Sequence, residues 1–156
     1  FNVDSKITLN NLVDYFINHL SKSYNLYWPL HPRTKKMLDE FKLFEKLNNH
    51  PKVCLLHPLN YHEMLKLNMH SSLVITDSGG LQKEAYFFKK PCVILREQTE
   101  WVEIVQNGNT ILTGADHKKI KEASERLLSK DDFSYPNLFG DGKAGSFICS
   151  KILSDL

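Results

Sequence analysis

The chain has no apolar run long enough to cross a bilayer. Stretches such as Leu73 to Ile75 and Val93 to Leu95 are only a few residues long, against the roughly 20 that a spanning helix needs. It has no excess of charge of one sign either. Twenty Lys and Arg against 18 Asp and Glu leave a formal net charge of +2, with acids and bases interspersed, whereas a nucleic-acid-binding surface needs a clustered basic excess. Cysteine is scarce: Cys54, Cys92 and Cys149 show no CxxC spacing, which argues against a disulfide framework. Cys54 and Cys92 fall in apolar, strand-like runs, so they are expected to be buried small hydrophobes in a reducing cytoplasm. Among the dispersed histidines, His50, His57, His62 and His70 offer no pair on one helix face with a third ligand, so no metal is expected. The first residues lack the charged, apolar, small-residue order of a signal peptide. Internal repeats and low-complexity linkers are missing too.

What is present is a chain the size of one domain. Its 156 residues are 42% hydrophobic and 24% charged, enough to bury a core. Ile7 to Leu20 carries Leu12, Val13, Phe16, Ile17 and Leu20 on one helical stripe. Tyr24 to Leu30 is a short aromatic strand stopped by Pro29. Helical spacing returns over Thr34 to Leu47, through Met37, Leu38, Phe41 and Phe44. Lys52 to Leu56 is a second strand, Asn60 to Leu67 a short helix, and Ser72 to Thr76 a third strand, apolar as a strand covered on both faces should be. Leu81 to Phe88 is helical, Cys92 to Leu95 a fourth strand, Val102 to Gln106 a helical turn and Asn109 to Thr113 a fifth strand. Asp116 caps a helix from His117 to Leu128, and Ala144 to Leu153 forms the last. This alternation predicts one doubly wound, Rossmann-like α/β domain, a parallel sheet with helices on both faces.

In such sheets ligands bind beyond the carboxyl ends of the strands. The third strand runs out there into Asp77-Ser78-Gly79-Gly80, which also opens a helix. The first N–H groups of a helix lack intrahelical partners and its dipole favours an anion. Glycines let a phosphate approach the backbone, and Ser78 adds a hydroxyl. A plain strand-to-helix turn with Ser78 as its N-cap explains the same residues. Glu84, one helical turn further on, suits sugar hydroxyls better than phosphates; otherwise it is a solvated surface acid. After the fourth strand, Arg96 can fork onto a phosphate or pair with an acid, and Thr99 and Glu100 can hydrogen-bond a sugar or merely order the loop. His31 and Arg33 stand on the first strand's rim, where a capped turn explains them almost as well. Tyr61 fits either the core or a base-stacking platform, the core being preferred on its residue type.

Taken together, "PLHPRTKKML", "HPLNYHEMLKL", "VITDSGGLQKEAYFFKKPCVILREQTEWVE" and "FGDGKAGSFI", in this order, resemble the carboxy-terminal domain of the non-hydrolysing UDP-N-acetylglucosamine 2-epimerases. The resemblance covers Asn2 to about Leu153. It implies the C-terminal half of a glycosyltransferase-B-type fold, with residues 1–156 as the UDP-binding domain and a nucleotide-sugar held between two Rossmann-like halves. Ser78, Gly79 and Gly80 correspond to the diphosphate turn and Glu84 to the ribose-binding acid. Arg96 corresponds to the arginine at the phosphate and uridine end, and Thr99 and Glu100 to the loop completing the pocket. Pro58 and Tyr61 match the segment lining the uracil. His31 matches a histidine that in some members reaches a second, regulatory UDP-N-acetylglucosamine, and Gly140, Asp141 and Gly142 match the turn before the final helix. The implied reaction interconverts UDP-GlcNAc and UDP-ManNAc by elimination and re-addition of UDP, for polysaccharide or cell-envelope sugar synthesis. A cytoplasmic homodimer using no cofactor and no metal is implied for the full enzyme, with no nucleic-acid or membrane partner.

The departures are as informative. The family's His-Arg-(x)-Glu-Asn motif ends where Phe1 and Asn2 stand, so its catalytic histidine and the amino-terminal domain with its acid/base carboxylates are expected upstream of this chain. No catalytic residue is expected within it. Asp77-Ser78-Gly79-Gly80 differs from the serine-rich turn of the hydrolysing enzymes. Trp101-Val102 replaces the Arg-Pro commoner in bacterial housekeeping members, and "KEAYFFKKPC" is closer to archaeal members and to relatives acting on diacetamido uronic acid nucleotides. An epimerase of such a UDP-diacetamido uronic acid is therefore the alternative, followed by a UDP-sugar-binding glycosyltransferase or sensor.

Overall fold

The structure, a computed structural model, describes residues 2–154; Phe1, Asp155 and Leu156 lie outside the described residues, and with them the Phe1 place of the family motif. The chain begins with α1 (Lys6–Tyr15), where Ser5 accepts the Thr8 N–H as N-cap. It continues through a π-helical turn (Phe16–Leu20) into α2 (Ser21–Ser23). Then follow β1 (Leu26–Pro29), α3 (Pro32–Glu40), α4 (Phe44–Asn48), β2 (Val53–Leu56), α5 (Tyr61–His70), β3 (Val74–Thr76) and α6 (Gly79–Phe87). β4 (Cys92–Ile94), α7 (Val102–Gln106), β5 (Thr110–Leu112), α8 (His117–Leu128) and α9 (Ala144–Ser154) complete the order. Every strand pairing is parallel, as the alternation predicts. The backbone bonds form two ladders, β1-β2 and β3-β4-β5, instead of one. Side chains join them: Leu26 of β1 packs both on the cluster around Val93 and on the one around Leu9 and Leu38.

Strand alternation sorts the core into faces. Val93 points to one side with Leu12, Tyr15, Ile120 and Leu127 from α1 and α8. Its neighbours Cys92 and Ile94 point to the other, against Ala85 of α6 and beside Leu81 and Val105. The β3-β4-β5 ladder is therefore covered on both sides, as a doubly wound sheet requires. On β1-β2 the face carrying Trp28, Val53 and Leu55 is packed by Leu9, Val13, Leu38 and Leu47. Tyr27 and Cys54 are register partners on the opposite face, and both are exposed. Burial of Cys54 is corrected for that reason: among the described residues no core cluster includes it or packs against it.

The helix expected over Thr34 to Leu47 is two. Lys42 adopts φ +59°, and the Leu43 N–H reaches back to Leu38 O at 2.8 Å, closing α3 in the left-handed manner usually left to glycine. Apolar spacing carries across this break because Leu38, Leu43 and Leu47 all still point into the core. Elsewhere local chemistry sets the boundaries. Asn60 and Glu63 form a reciprocal capping box on α5, and Asp116 accepts the Lys118 and Lys119 N–H groups at 2.8 and 3.2 Å.

Candidate functional site

Because β3 and β4 run parallel, the loops leaving them emerge at one edge, and there the expected residues meet. Ser78 is the N-cap of α6 in extended conformation, but its side chain makes no capping bond. The first backbone bond into the helix, Gln82 N–H to Ser78 O, is a long 3.4 Å, so the N–H groups of Gly79, Gly80 and Leu81 have no intrahelical partner. A Cβ built on Gly80 would meet nothing within 4 Å, so the backbone is open to approach there. A methyl on Gly79 would run into Glu100 Oε1 and come within 3.6 Å of an Arg96 guanidinium nitrogen. Those two side chains pair at 3.0 Å with 40% and 50% of their surfaces exposed. The loop ion pair anticipated as the plain reading of Arg96 thus exists, and it lies against the glycine turn.

Thr99 is committed to the protein itself. Its hydroxyl donates to Gln82 Oε1 at 2.6 Å and accepts the Trp101 backbone N–H at 3.1 Å. Gln82 is fully buried in α6, so this bond ties the loop after β4 to the helix after β3. Glu84 is half-buried, and no hydrogen bond or ion pair to its carboxylate is found among the described residues; burial alone raises its carboxyl pKa above the ordinary value. An unpaired, partly desolvated carboxylate is suited to accept hydroxyl donors.

The remaining expected residues stand apart. Tyr61 opens α5 with 63% of its surface exposed, which corrects its placement in the core; its ring meets that of His62 edge-on at 5.9 Å. Pro58 is exposed beside it. His31 is the N-cap of α3, its Nδ1 accepting the Arg33 N–H at 3.2 Å with Pro32 at the first helical position, and Arg33 pairs with Asp4 at 2.7 Å. The capped turn is thus what His31 builds. No hydrogen bond or ring contact among the described residues joins Pro58, Tyr61 or His31 to the Ser78–Glu100 cluster, although α5 packs on α6. Gly140 and Gly142 take φ of +78° and +79° before α9.

Other residues at this edge escaped sequence reasoning. The Asn2 side chain donates to Leu95 O at 2.6 Å and to Asp77 Oδ2 at 3.4 Å, placing Asn2 on the rim between the two loops. The Trp101 indole N–H donates to Gly79 O at 2.9 Å. Only the position of Trp101, an aromatic directly after a polar rim loop, could have signalled it. Two concavities lie away from the rim. One, of about 330 Å³, is lined by Tyr15, His19, His117 and Lys121 between α1 and α8, and one of about 170 Å³ by Tyr86, Tyr135 and Phe139. The rim chemistry is more specific than either, since it gathers free helix N–H groups, an arginine and an unpaired acid on one open edge. No group of three His, Cys, Asp or Glu side chains able to hold a metal occurs among the described residues, and no described helix is long and apolar enough to cross a membrane.

Fold and rim together define a class: a doubly wound α/β domain with an open polar edge at the helix start after its third strand. Within that class the sequence matches the UDP-N-acetylglucosamine 2-epimerase family over residues 1–153. The chain belongs to this family. A UDP-N-acetylglucosamine 2-epimerase of Methanococcus maripaludis is 41% identical over 156 residues, covering 99% of this chain and 42% of that protein. The UDP-2,3-diacetamido-2,3-dideoxy-D-glucuronate 2-epimerase of Pseudomonas aeruginosa is 40% identical, covering 97% and 41%. The Methanocaldococcus jannaschii UDP-GlcNAc 2-epimerase, solved in complex with UDP-GlcNAc and UDP, superposes with a TM-score of 0.85 at 39% identity, covering 98% of this chain and 42% of that one. The chain thus spans about two fifths of the length of these relatives.

Proposed function

We propose that this chain is the UDP-binding carboxy-terminal domain of a non-hydrolysing UDP-N-acetylglucosamine 2-epimerase, interconverting UDP-GlcNAc and UDP-ManNAc. The observation that carries the reading is the start of α6, where three free N–H groups and an uncapping Ser78 face an open edge beside Arg96. Ser78, Gly79, Gly80 and Arg96 hold the diphosphate, Glu84 the ribose hydroxyls, Thr99 and Glu100 order the loop that closes this side, and Pro58 and Tyr61 flank the uracil. For Arg96 to reach a phosphate its exposed pair with Glu100 must open, and such pairs are worth only about 0.2–1 kcal/mol.

In the reaction a base removes the C2 proton while the C1–O bond breaks, its electrons leaving on the diphosphate. The products are 2-acetamidoglucal and UDP; re-addition delivers a proton to the opposite face of C2 and returns the UDP oxygen to C1. This domain's share is electrostatic: free N–H groups, the helix dipole and Arg96 stabilise the charge developing on the departing UDP. Proton transfer is assigned to the part of the relatives' length that this chain does not cover; the two-domain arrangement, the homodimer and the cytoplasmic location are further parts of this proposal. The near-equal identity to the diacetamido-uronate enzyme favours a second reading, in which the sugar is a UDP-diacetamido uronic acid. Assay of the full-length protein with both nucleotide-sugars decides between them. C2 epimer formed without an acceptor from one sugar alone identifies the substrate, and transfer only when an acceptor is added overturns both readings in favour of a glycosyltransferase.

A further inference from the structure

The two glycines that open α6 are poorly placed to order themselves. Glycine loses more conformational freedom on folding than any other residue, Ser78 supplies no side-chain cap, and the first bond into the helix is 3.4 Å long. A contact from outside the helix therefore adds order to a start needed as a rigid row of donors. The holding group is on the page. Trp101 Nε1–H donates to Gly79 O at 2.9 Å. In a planar trans peptide the carbonyl and the next N–H point in opposite directions, so anchoring Gly79 O also aims the Gly80 N–H toward the open end of the helix.

Trp101 is itself over-determined. Its backbone N–H is held by Thr99, whose hydroxyl is bonded to the fully buried Gln82. Its ring meets Phe139 edge-on at 5.8 Å and 90°. The Lys83 ammonium lies 4.5 Å from the centre of that ring and 4.4 Å from the centre of Phe139. Lys83 is one helical turn beyond Gly79, so α6 clasps the indole that in turn clasps the start of α6.

We propose that Trp101 is the positioning residue of the diphosphate turn, fixing the Gly79–Gly80 peptide so that its N–H is ready for a nucleoside diphosphate. This rests on the UDP-binding reading above, deepens it, and is tested separately from it. Trp101→Phe keeps a ring for Phe139 and Lys83 but has no indole N–H. In the ligand-free chain the Gly79 and Gly80 amide order parameters, expected near the rigid value of about 0.85 in the wild type, should fall toward about 0.6 in the variant. UDP affinity should drop roughly three- to tenfold, the worth of one hydrogen bond, while uridine, which has no diphosphate, binds within about twofold of its wild-type affinity. Unchanged order parameters, or equal losses for UDP and uridine, overturn the proposal. Should Trp101→Phe not fold, hydrogen exchange at the wild-type indole decides: the Trp101 Nε1–H that donates to Gly79 O should be protected, and exchange as fast as that of a free indole overturns the proposal just as well. A wild-type chain that does not bind UDP at all sinks the UDP reading instead, and the order parameters still report on the clasp.

Discussion

At the scale of single residues, the turn after β3 separates folding from binding. Gly79→Ala pushes a methyl onto Glu100, a half-exposed carboxylate free to swing away, so the thermal midpoint should hardly move. The same methyl and the displaced Glu100 crowd the phosphate approach, and UDP affinity should fall about tenfold, or ~1.4 kcal/mol. Arg96→Ala likewise loses only an exposed ion pair from the fold but a charged hydrogen bond of about 1.5–3 kcal/mol from binding. Titration calorimetry beside a melting curve checks both; variants with wild-type affinity and midpoint refute the assignment. Glu84→Gln carries a pH signature. Burial raises the Glu84 pKa, so ionising it costs the folded state free energy as pH rises past the unfolded value of about 4.3. The variant should therefore melt slightly higher at pH 7, with the difference gone below about pH 4. It should also bind uridine nucleotides more weakly while pyrophosphate binds as well or better.

At the scale of elements, α8 tests how far local chemistry holds the fold. Its N-cap Asp116 has a pKa below the ordinary value because the Lys119 and Lys118 backbone N–H groups bond its carboxylate. A depressed folded pKa means stabilisation that is present above the unfolded value near 3.9 and lost as pH falls through the folded one. Asp116→Ala should lower the midpoint by about 2–4 °C at pH 7, with the two melting curves converging as pH falls below the unfolded value. A constant difference across that range would show that the carboxylate charge is not what caps the helix. α9 is the contrasting case. None of its described residues is buried, and Phe147, Ile148, Ile152 and Leu153 are all exposed. Ending the chain at Lys143 should therefore leave the midpoint within about 1 °C, since no core area is lost; a larger drop would mean that α9 packs on the domain.

At the scale of the whole molecule, one open edge is expected to bind without turning over. The residues proposed to hold phosphate and ribose lie on an open edge, with no second wall of protein among the described residues to exclude water, so UDP should bind the 156-residue chain at only ~0.1–1 mM. Epimerisation should be undetectable, because a missing general acid or base alone accounts for about 10²–10⁴-fold in rate. Product formed in proportion to the concentration of the purified chain would overturn that expectation.

The alternation of strands and helices was legible in the residues themselves, because apolar period and capping chemistry are local. Asp116, Val102 to Gln106 and the turn at Asp77 to Gly80 all stand where spacing and residue type put them. So was the identity of the turn, since a helix opening on Ser-Gly-Gly at a strand exit leaves free N–H groups whatever surrounds it. Contacts between distant segments were not legible. Periodicity continues through Lys42 because the core side of α3 and α4 is the same, so the break shows only in the backbone. Cys54 and Tyr61 read as core by residue type, and only the position of Cys54 apart from the described core clusters and of Tyr61 at the exposed start of α5 put them in solvent. The Trp101 bond to Gly79 depends on β3 and β4 being neighbours in the sheet. Residues 22 apart meet there because two parallel strands end on one edge, a relation that tertiary structure alone supplies.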